Sequence, residues 1–223
     1  MISATPAGAA PPWLRTLAGN AQRMTVPPLL RPPASGIGRP SAVLMLFGET
    51  NGEADLLIVQ RSPYLRRHAG QPAFPGGATE PADGGPVGAA LREATEEVGV
   101  DPAGVEVLAV LPELFIPRSG FRVTPVLAWW RRPSPLVPAS DGEIVSAVRA
   151  RLDDLADPAN RLTVRLPNGV TAGPAFRLHG MLVWGFTAAL VDRLLALGGW
   201  ERPWDAGHEE DLPPDVLSAA ARG

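Results

Sequence analysis

Three glutamates, Glu93, Glu96 and Glu97, stand close together in the segment Val87–Val98. A spacing of i, i+3 and i+4 places the three carboxylates on one side of a helix. Like charges at this distance repel, and a hard divalent cation such as Mg²⁺ or Mn²⁺, which prefers oxygen ligands, relieves the repulsion. The spacing therefore indicates metal-assisted chemistry on a phosphate. The other interpretation is a solvated acidic helix face with Arg92 as a local ion-pair partner.

Glycines on either side of this helix favour the chemical interpretation. The run Phe74-Pro75-Gly76-Gly77 precedes the helix, and glycines there permit sharp backbone geometry and close approach to a phosphate or a metal. Gly99 stands where a helix C-cap is expected. The helical wheel also predicts a separate apolar sector that faces the core, formed by Val87, Ala90, Leu91, Ala94 and Val98.

Composition excludes several other kinds of chemistry. The chain has 223 residues and no cysteine, and all 20 of its basic residues are arginine, so thiolate, cysteine–zinc and lysine mechanisms are ruled out. A formal charge of -3 and a pI near 5.6 argue against sequence-independent binding to nucleic acid. No run approaches the roughly 18 apolar residues of a membrane span, and the N-terminus lacks the pattern of a signal peptide. We therefore expect a cytoplasmic protein with neither a membrane nor a nucleic-acid partner.

The pattern of apolar residues predicts an α/β layered domain around this helix. A loop at residues 61–85, dense in glycine, proline and arginine, is long enough to indicate function. A hairpin is expected at Pro167-Asn168-Gly169. Strands are predicted at 42–47, 56–60, 105–111 and 122–130, helices at Trp13–Met24 and Val183–Leu197, and a helix or a strand–helix mixture at Glu143–Leu155. The predicted boundaries are an arm at 1–40, a domain at 41–197 and a tail at 198–223.

Gly77, Asp83 and the run Arg92-Glu93-Ala94-Thr95-Glu96-Glu97-Val98-Gly99-Val100 resemble the signature of the Nudix hydrolases. The second half of the signature is matched without a gap. In the first half, Asp83 replaces the usual glutamate and one extra residue precedes Arg92. Both departures are ordinary in the branch of the family that acts on coenzyme A.

A second block resembles the motif of that coenzyme A branch. It comprises Leu57-Ile58-Val59-Gln60-Arg61-Ser62, then Arg66, Gly70 and Phe74-Pro75-Gly76-Gly77, with three residues in each gap. The runs Ser119–Pro125 and Trp184–Ala188 are similar to the same branch. The resemblance covers roughly residues 41–197 and implies the Nudix fold, an α/β/α sandwich with a mixed β-sheet.

The resemblance also implies roles for individual residues. Metal ligands for Mg²⁺ or Mn²⁺ would be Glu93, Glu96, Glu97 and the Gly77 carbonyl. Glu97 or Glu96 would orient or deprotonate water, and Arg92 would orient the acids. Substrate would be bound by Arg61, Arg66, Gly70, Phe74 and Gly76. The substrate would be coenzyme A or an acyl derivative, cleaved to 3′,5′-ADP and a 4′-phosphopantetheine product, and a homodimer is expected.

Several alternatives stay open at this point. The substrate could instead be another nucleoside diphosphate derivative, such as ADP-ribose, NADH or a damaged nucleoside triphosphate, and a Nudix-fold binding protein without turnover is the rival of a different class. Asp83 either bonds the loop or binds metal. Glu143 is either a remote carboxylate of the site or an exposed acid at a helix N-terminus. His68 either forms a hydrogen bond within its loop, which we expect, or binds metal.

Overall fold

The computed structural model describes residues 9–65, 68–166, 169–214 and Val216. The chain divides into two compact units, Met1–Glu49 with Pro75–Val137, and Thr50–Phe74 with Pro138–Gly223. The helices are α1 (Pro12–Gln22), α2 (Pro86–Val98), α3 (Leu152–Ala156) and α4 (Gly185–Gly198). The strands are β1 (Arg39–Thr50), β2 (Glu53–Arg61), β3 (Pro72–Ala73), β4 (Gly76–Ala78), β5 (Val105–Val110), β6 (Leu114–Ile116), β7 (Phe121–Trp130), β8 (Ile144–Arg151), β9 (Arg161–Arg165), β10 (Thr171–Leu178), β11 (Met181–Val183) and β12 (Glu209–Asp211).

The first unit is built on a mixed sheet around β1. On one side β1 runs parallel to β7, and on the other it pairs antiparallel with β4, so that Ala42 lies opposite both Thr124 and Gly77. Strands β5 and β6 pair antiparallel with β7. The centre of β1 is a nearly continuous apolar run that is buried, as expected for a strand covered on both faces. This sheet fixes the position of β4, which leads towards the acidic helix α2.

The N-terminal helix α1 belongs to the core of the first unit. Leu14 and Leu17 are completely buried, and the Trp13 ring meets the Phe47 ring edge-on at a centroid distance of 6.0 Å. Pro12 at the first helical turn is favourable because a proline there loses no hydrogen bond. The helix predicted at Trp13–Met24 is therefore confirmed.

The second unit contains two sets of paired strands. Strand β2 pairs antiparallel with β3 and with β8. In the other set β10 lies between β9 and β11, both antiparallel, and β12 runs parallel to β9. A small apolar cluster lies under this second set, formed by Leu162, Val164, Ala175 and Leu212. Helix α4 packs against β10.

Most of the long predicted elements are confirmed, whereas short strands escaped prediction. The segment predicted as one continuous loop at 61–85 contains β3, β4 and a 3-10 turn at Pro81–Asp83, so that prediction is wrong in part. Strands of two or three residues are too short to show an alternating pattern, and pairing with a longer neighbour creates them. Residues 143–155 contain a strand followed by a helix, β8 and α3. At the predicted hairpin, β9 and β10 pair antiparallel, but Pro167 and Asn168 lie outside the described residues.

Among the described residues, no helix combines the length and the apolar character that crossing a bilayer requires.

Candidate functional site

Both ends of the acidic helix α2 are fixed by its sequence. Pro86 occupies the first helical position, where its missing N–H is not needed. At the other end Gly99 takes a left-handed conformation with φ of 74°. Its N–H donates to the Thr95 carbonyl at 3.0 Å, and the Val100 N–H donates to the Ala94 carbonyl at 3.2 Å. These two hydrogen bonds end the helix directly after its glutamates.

Arg92 connects the helix acids to the preceding turn. Its Nε donates to Asp83 Oδ1 at 2.7 Å and its Nη2 to Asp83 Oδ2 at 3.2 Å, a two-point contact with one carboxylate. Nη2 also donates to the Ala78 carbonyl at 3.1 Å. Nη1 lies 2.9 Å from Glu96 Oε2 and 3.1 Å from Glu93 Oε1. One guanidinium thus contacts two acids of the helix, the turn and strand β4.

Asp83 is held from both sides. Its Oδ2 accepts a hydrogen bond of 2.7 Å from the Glu80 N–H in addition to the two from Arg92. These contacts, led by the Arg92 hydrogen bond, hold the pKa of Asp83 below its usual range, and the same bond raises the pKa of Arg92. The geometry supports the interpretation of Asp83 as a residue that bonds the loop. It fixes the guanidinium that faces the acids.

Glu93 packs against the backbone of Gly77. A Cβ atom built on Gly77 would lie 2.3 Å from Glu93 Oε1, so any larger residue there would collide with the carboxylate. Burial raises the pKa of Glu93, and the ion pair with Arg92 opposes that rise. A half-buried carboxylate against a glycine backbone is costly to desolvate unless a cation faces it.

Glu97 is the most buried of the three helix acids, which the helical wheel alone did not indicate. Glu97 is 8% exposed and lies among the buried residues of α2, whereas the Glu96 side chain is 59% exposed. Buried carboxylates need polar partners, and Glu97 Oε2 accepts a hydrogen bond of 3.2 Å from the Gly76 N–H. The backbone of Gly76 therefore makes burial of this acid possible.

The oxygen donors of this site suit a hard divalent cation. Within the described ranges, no three Asp, Glu or His side chains are already gathered as a complete metal site. Mg²⁺ does not require such a set, because it takes one or two carboxylates and completes its shell with water and substrate phosphate. Glu93 and Glu97 each lie against the Gly76–Gly77 backbone and meet that smaller requirement. The assignment of Glu93, Glu96, Glu97 and the Gly77 carbonyl as ligands stays a prediction.

The remaining predicted site residues lie in or beside the arginine loop, which we define as residues 61–74. Arg66 lies outside the described residues. Arg61 Nη2 is 3.7 Å from Glu143 Oε2, and Gly70 has a positive φ of 66°. Phe74 is buried at 3% exposure, and its predicted contact with substrate stays a prediction. Gly76 presents its N–H to Glu97, as described above.

The structure also tests the predictions made for Glu143 and His68. Glu143 precedes strand β8, so its interpretation as an acid at a helix N-terminus is wrong. The segment that follows it becomes a strand because it pairs with β2 from Asp55 to Arg61, which the local pattern did not reveal. His68 Nδ1 lies 3.1 Å from Gln71 Oε1, which confirms the predicted hydrogen bond within its loop.

Sequence reasoning missed two backbone contacts of the site, at Ala78 and at Gly88. The Ala78 carbonyl accepts a hydrogen bond from the Arg92 side chain. The absence of a side chain at Gly88 lets the Asp83 carbonyl approach the helix. A carbonyl carries no signature in the residue type. Gly88 did carry a signal, because glycine inside a helix is unfavourable unless something lies close to it.

Comparison with known sequences identifies related proteins. A sequence model of the NUDIX domain matches residues 38–166. An uncharacterized Nudix hydrolase NudL of Citrobacter koseri is 38% identical over 183 residues, which cover 78% of this chain and 92% of that protein. The NudL of Pectobacterium atrosepticum is 37% identical over 187 residues, covering 81% and 92% respectively. A probable nudix hydrolase of Schizosaccharomyces pombe is 34% identical over 170 residues, covering 76% of this chain and 59% of the relative.

Solved structures of similar fold include two bacterial proteins. RenU, a Nudix hydrolase from M. smegmatis, is 27% identical with a TM-score of 0.45, covering 53% of this chain and 74% of that chain. The NUDIX domain of Shewanella oneidensis NrtR, in complex with ADP ribose, is 19% identical with a TM-score of 0.42, covering 53% and 75%.

Proposed function

The chain belongs to the Nudix hydrolase family, and on that premise we propose that this pyrophosphatase cleaves coenzyme A or its acyl derivatives. The products would be 3′,5′-ADP and 4′-phosphopantetheine or its acyl form. The observation that carries the proposal is the sequence block from Leu57 to Gly77, whose residue types and gaps resemble the motif of the coenzyme A branch. It stands directly before the acidic helix signature, so one chain carries both the catalytic and the substrate motif.

The helix residues supply the catalytic groups. A divalent cation, which enzymes of this family use and which we propose to be Mg²⁺ or Mn²⁺, would lower the pKa of a bound water and neutralise charge on the phosphoryl oxygens. Glu93, Glu96, Glu97 and the Gly77 carbonyl would hold it. Either Glu97, held by the Gly76 N–H, or Glu96, held by Arg92, orients or deprotonates the attacking water.

Arg92 acts on the acids rather than on the substrate in this proposal. Its guanidinium already contacts Asp83, Glu93 and Glu96, so its donors are committed to keeping those side chains in place. Preorganised acids lose less entropy when they receive a charged ligand.

The arginine loop supplies the substrate contacts. Coenzyme A carries a 3′-phosphate as well as its pyrophosphate, so it needs more cationic contacts than an ordinary nucleoside diphosphate. Guanidinium groups bind phosphate through two parallel hydrogen bonds, which suits Arg66 and then Arg61 to this task. Gly70, Phe74 and Gly76 are the other proposed substrate-binding positions.

The proposal is tested by comparing coenzyme A with dephospho-coenzyme A, which lacks only the 3′-phosphate. We expect the wild-type protein to show a clearly higher kcat/KM for coenzyme A. Equal kcat/KM values for the two compounds would contradict recognition of the 3′-phosphate. A higher kcat/KM for ADP-ribose or NADH would favour another Nudix substrate.

Arg66→Ala is expected to raise KM for coenzyme A more than for dephospho-coenzyme A. Loss of a charged hydrogen bond costs about 1.5–3 kcal/mol, or roughly ten- to a hundredfold in KM. Steady-state kinetics on both substrates measures the difference. Arg67→Ala is the matched control, because the neighbouring arginine is not part of the motif. An equal effect of Arg66→Ala on both substrates would refute its role at the 3′-phosphate.

A homodimer, a cytoplasmic location and the domain boundaries at 41–197 are further proposals that come from the sequence.

A further inference from the structure

Near the end of the arginine loop, three successive carbonyl groups, at residues 70–72, accept hydrogen bonds. The Gly70 carbonyl accepts from the side-chain amide of Gln60, and the Gln71 carbonyl accepts from the Arg61 N–H at 3.1 Å. The Pro72 carbonyl accepts from the hydroxyl of Thr187 at 3.1 Å. Two of the donors come from β2, at the start of the loop, whereas the third comes from a residue 115 positions away.

Thr187 directs its hydroxyl to this distant segment. It lies in the first turn of α4, whose N-cap residue, Trp184, makes no side-chain capping hydrogen bond. The residue is only 8% exposed, and a buried hydroxyl needs a partner. Its partner is the Pro72 carbonyl in the two-residue strand β3, whose pairing with β2 is limited to Ala73 and Pro72.

Such a short strand is weakly fixed by its own pairing. The neighbouring contacts belong to the loop itself: the Gly70 N–H donates to the Ser62 carbonyl at 3.1 Å, and the Gln71 N–H to the His68 carbonyl at 3.3 Å. The Thr187 hydroxyl is therefore a side-chain contact that links this end of the loop to a long helix.

We propose that Thr187 is a positioning residue that fixes the end of the arginine loop and so sets the preference for a substrate with a 3′-phosphate. This inference rests on the proposed function. Thr187 lies in the run Trp184–Ala188, which resembles the coenzyme A branch in sequence. In this proposal the run contributes to the site by holding the Pro72 carbonyl through the Thr187 hydroxyl.

The experiment uses the full chain and three variants. Thr187→Val removes the hydroxyl and keeps the shape, and Thr187→Ser keeps the hydroxyl. Thr163→Val is the matched control, because Thr163 is also buried in the second unit and its hydroxyl donates to the Ala206 carbonyl at 2.8 Å. We expect Thr187→Val to raise KM for coenzyme A roughly three- to tenfold, and KM for dephospho-coenzyme A less, with kcat little changed. Thr187→Ser and Thr163→Val should leave the ratio of the two KM values at the wild-type level.

A second measurement follows the loop without any substrate. Hydrogen exchange at the Arg61 and Gly70 amides, both bonded across the base of the loop, should be faster in Thr187→Val than in Thr163→Val. If Thr187→Val fails to fold, Thr187→Ala replaces it in both measurements.

The outcomes separate the two proposals. Equal KM ratios and equal exchange in Thr187→Val and Thr163→Val would overturn the positioning role. If the wild-type protein hydrolyses neither substrate, the proposed function fails, and hydrogen exchange alone decides: faster exchange supports the role of Thr187 in holding the loop, and unchanged exchange refutes it.

Discussion

At the scale of single residues, the site depends on carboxylates that are placed in different surroundings. Glu97 is buried and bonded to the Gly76 N–H, Glu93 is half-buried against Gly77, and Glu96 is exposed and paired with Arg92. The three glutamates therefore lie in three different environments. Such a difference lets one carboxylate transfer a proton while the others stay ionised.

Glu97→Gln is expected to lower kcat by about 10²- to 10⁴-fold, the range for loss of a positioned acid–base group. The fold should persist, because the amide oxygen of glutamine still accepts from the Gly76 N–H. Turnover and the melting temperature are measured together. Glu53→Gln, in an exposed pair with Arg151, is the matched control. Near-normal kcat in Glu97→Gln would remove this residue from the catalytic site.

Asp83→Asn is expected to lower the free energy of unfolding in a way that depends on pH. The pKa of Asp83 is lowered in the folded protein, so its stabilising effect is complete above the ordinary value of about 3.8. It is lost as the pH falls through the lower folded value. The difference between wild type and Asp83→Asn should therefore be constant near neutral pH and shrink below pH 3.8.

Urea unfolding between pH 3 and pH 7 measures this difference (a range chosen to bracket the ordinary carboxyl pKa of roughly 4). Asp153→Asn, in an exposed pair with Arg202, is the control and should change the unfolding free energy little. A difference for Asp83→Asn that grows towards acid pH would contradict the lowered pKa.

At the scale of elements, the turn at Pro81–Asp83 and helix α2 must fit closely for Arg92 to reach Asp83. A Cβ atom on Gly88 would lie 1.9 Å from the Asp83 carbonyl oxygen, so the helix has a glycine where the turn crosses it. Glycine inside a helix lowers its stability, but at this position it makes room for the turn that carries Asp83, the partner of Arg92.

Gly88→Ala is therefore expected to destabilise the fold by about 1–3 kcal/mol, although alanine is the better helix former. Turnover should fall with it, because the turn that holds Arg92 is displaced. Gly19→Ala, inside α1, is the control: its added Cβ would lie at an ordinary contact distance of 3.7 Å from Arg23 Nη1, so it should stabilise the protein slightly. A stabilised Gly88→Ala variant would show that the turn is free to move.

The long elements were predictable because their patterns are local. Helix α2 has capping signals at both ends, and β1 is a continuous apolar run. Strands β3, β4, β6, β11 and β12 were not, because each has only two or three residues and exists through pairing with another strand. The burial of Glu97 was not predictable either, because its partner, the Gly76 N–H, lies in another element.

At the scale of the whole molecule, the described structure reaches beyond the segment that defines the family. The NUDIX match covers residues 38–166, yet helix α1 lies in the core of the first unit and β12 pairs with β9 in the second. Sequence reasoning placed both in a terminal arm and tail. The apolar pattern predicted the helix but not which core it packs against, and β12 has only three residues, too few to show an alternating pattern.

The central claim is that this chain hydrolyses coenzyme A with the help of a divalent cation. It is tested most directly by incubating the purified protein with coenzyme A, ADP-ribose or NADH, with Mg²⁺ and separately with Mn²⁺, and resolving the products by mass. We predict fastest turnover of coenzyme A, with 3′,5′-ADP and 4′-phosphopantetheine as products. Faster turnover of ADP-ribose or NADH, or no turnover of any of the three compounds, would contradict the claim.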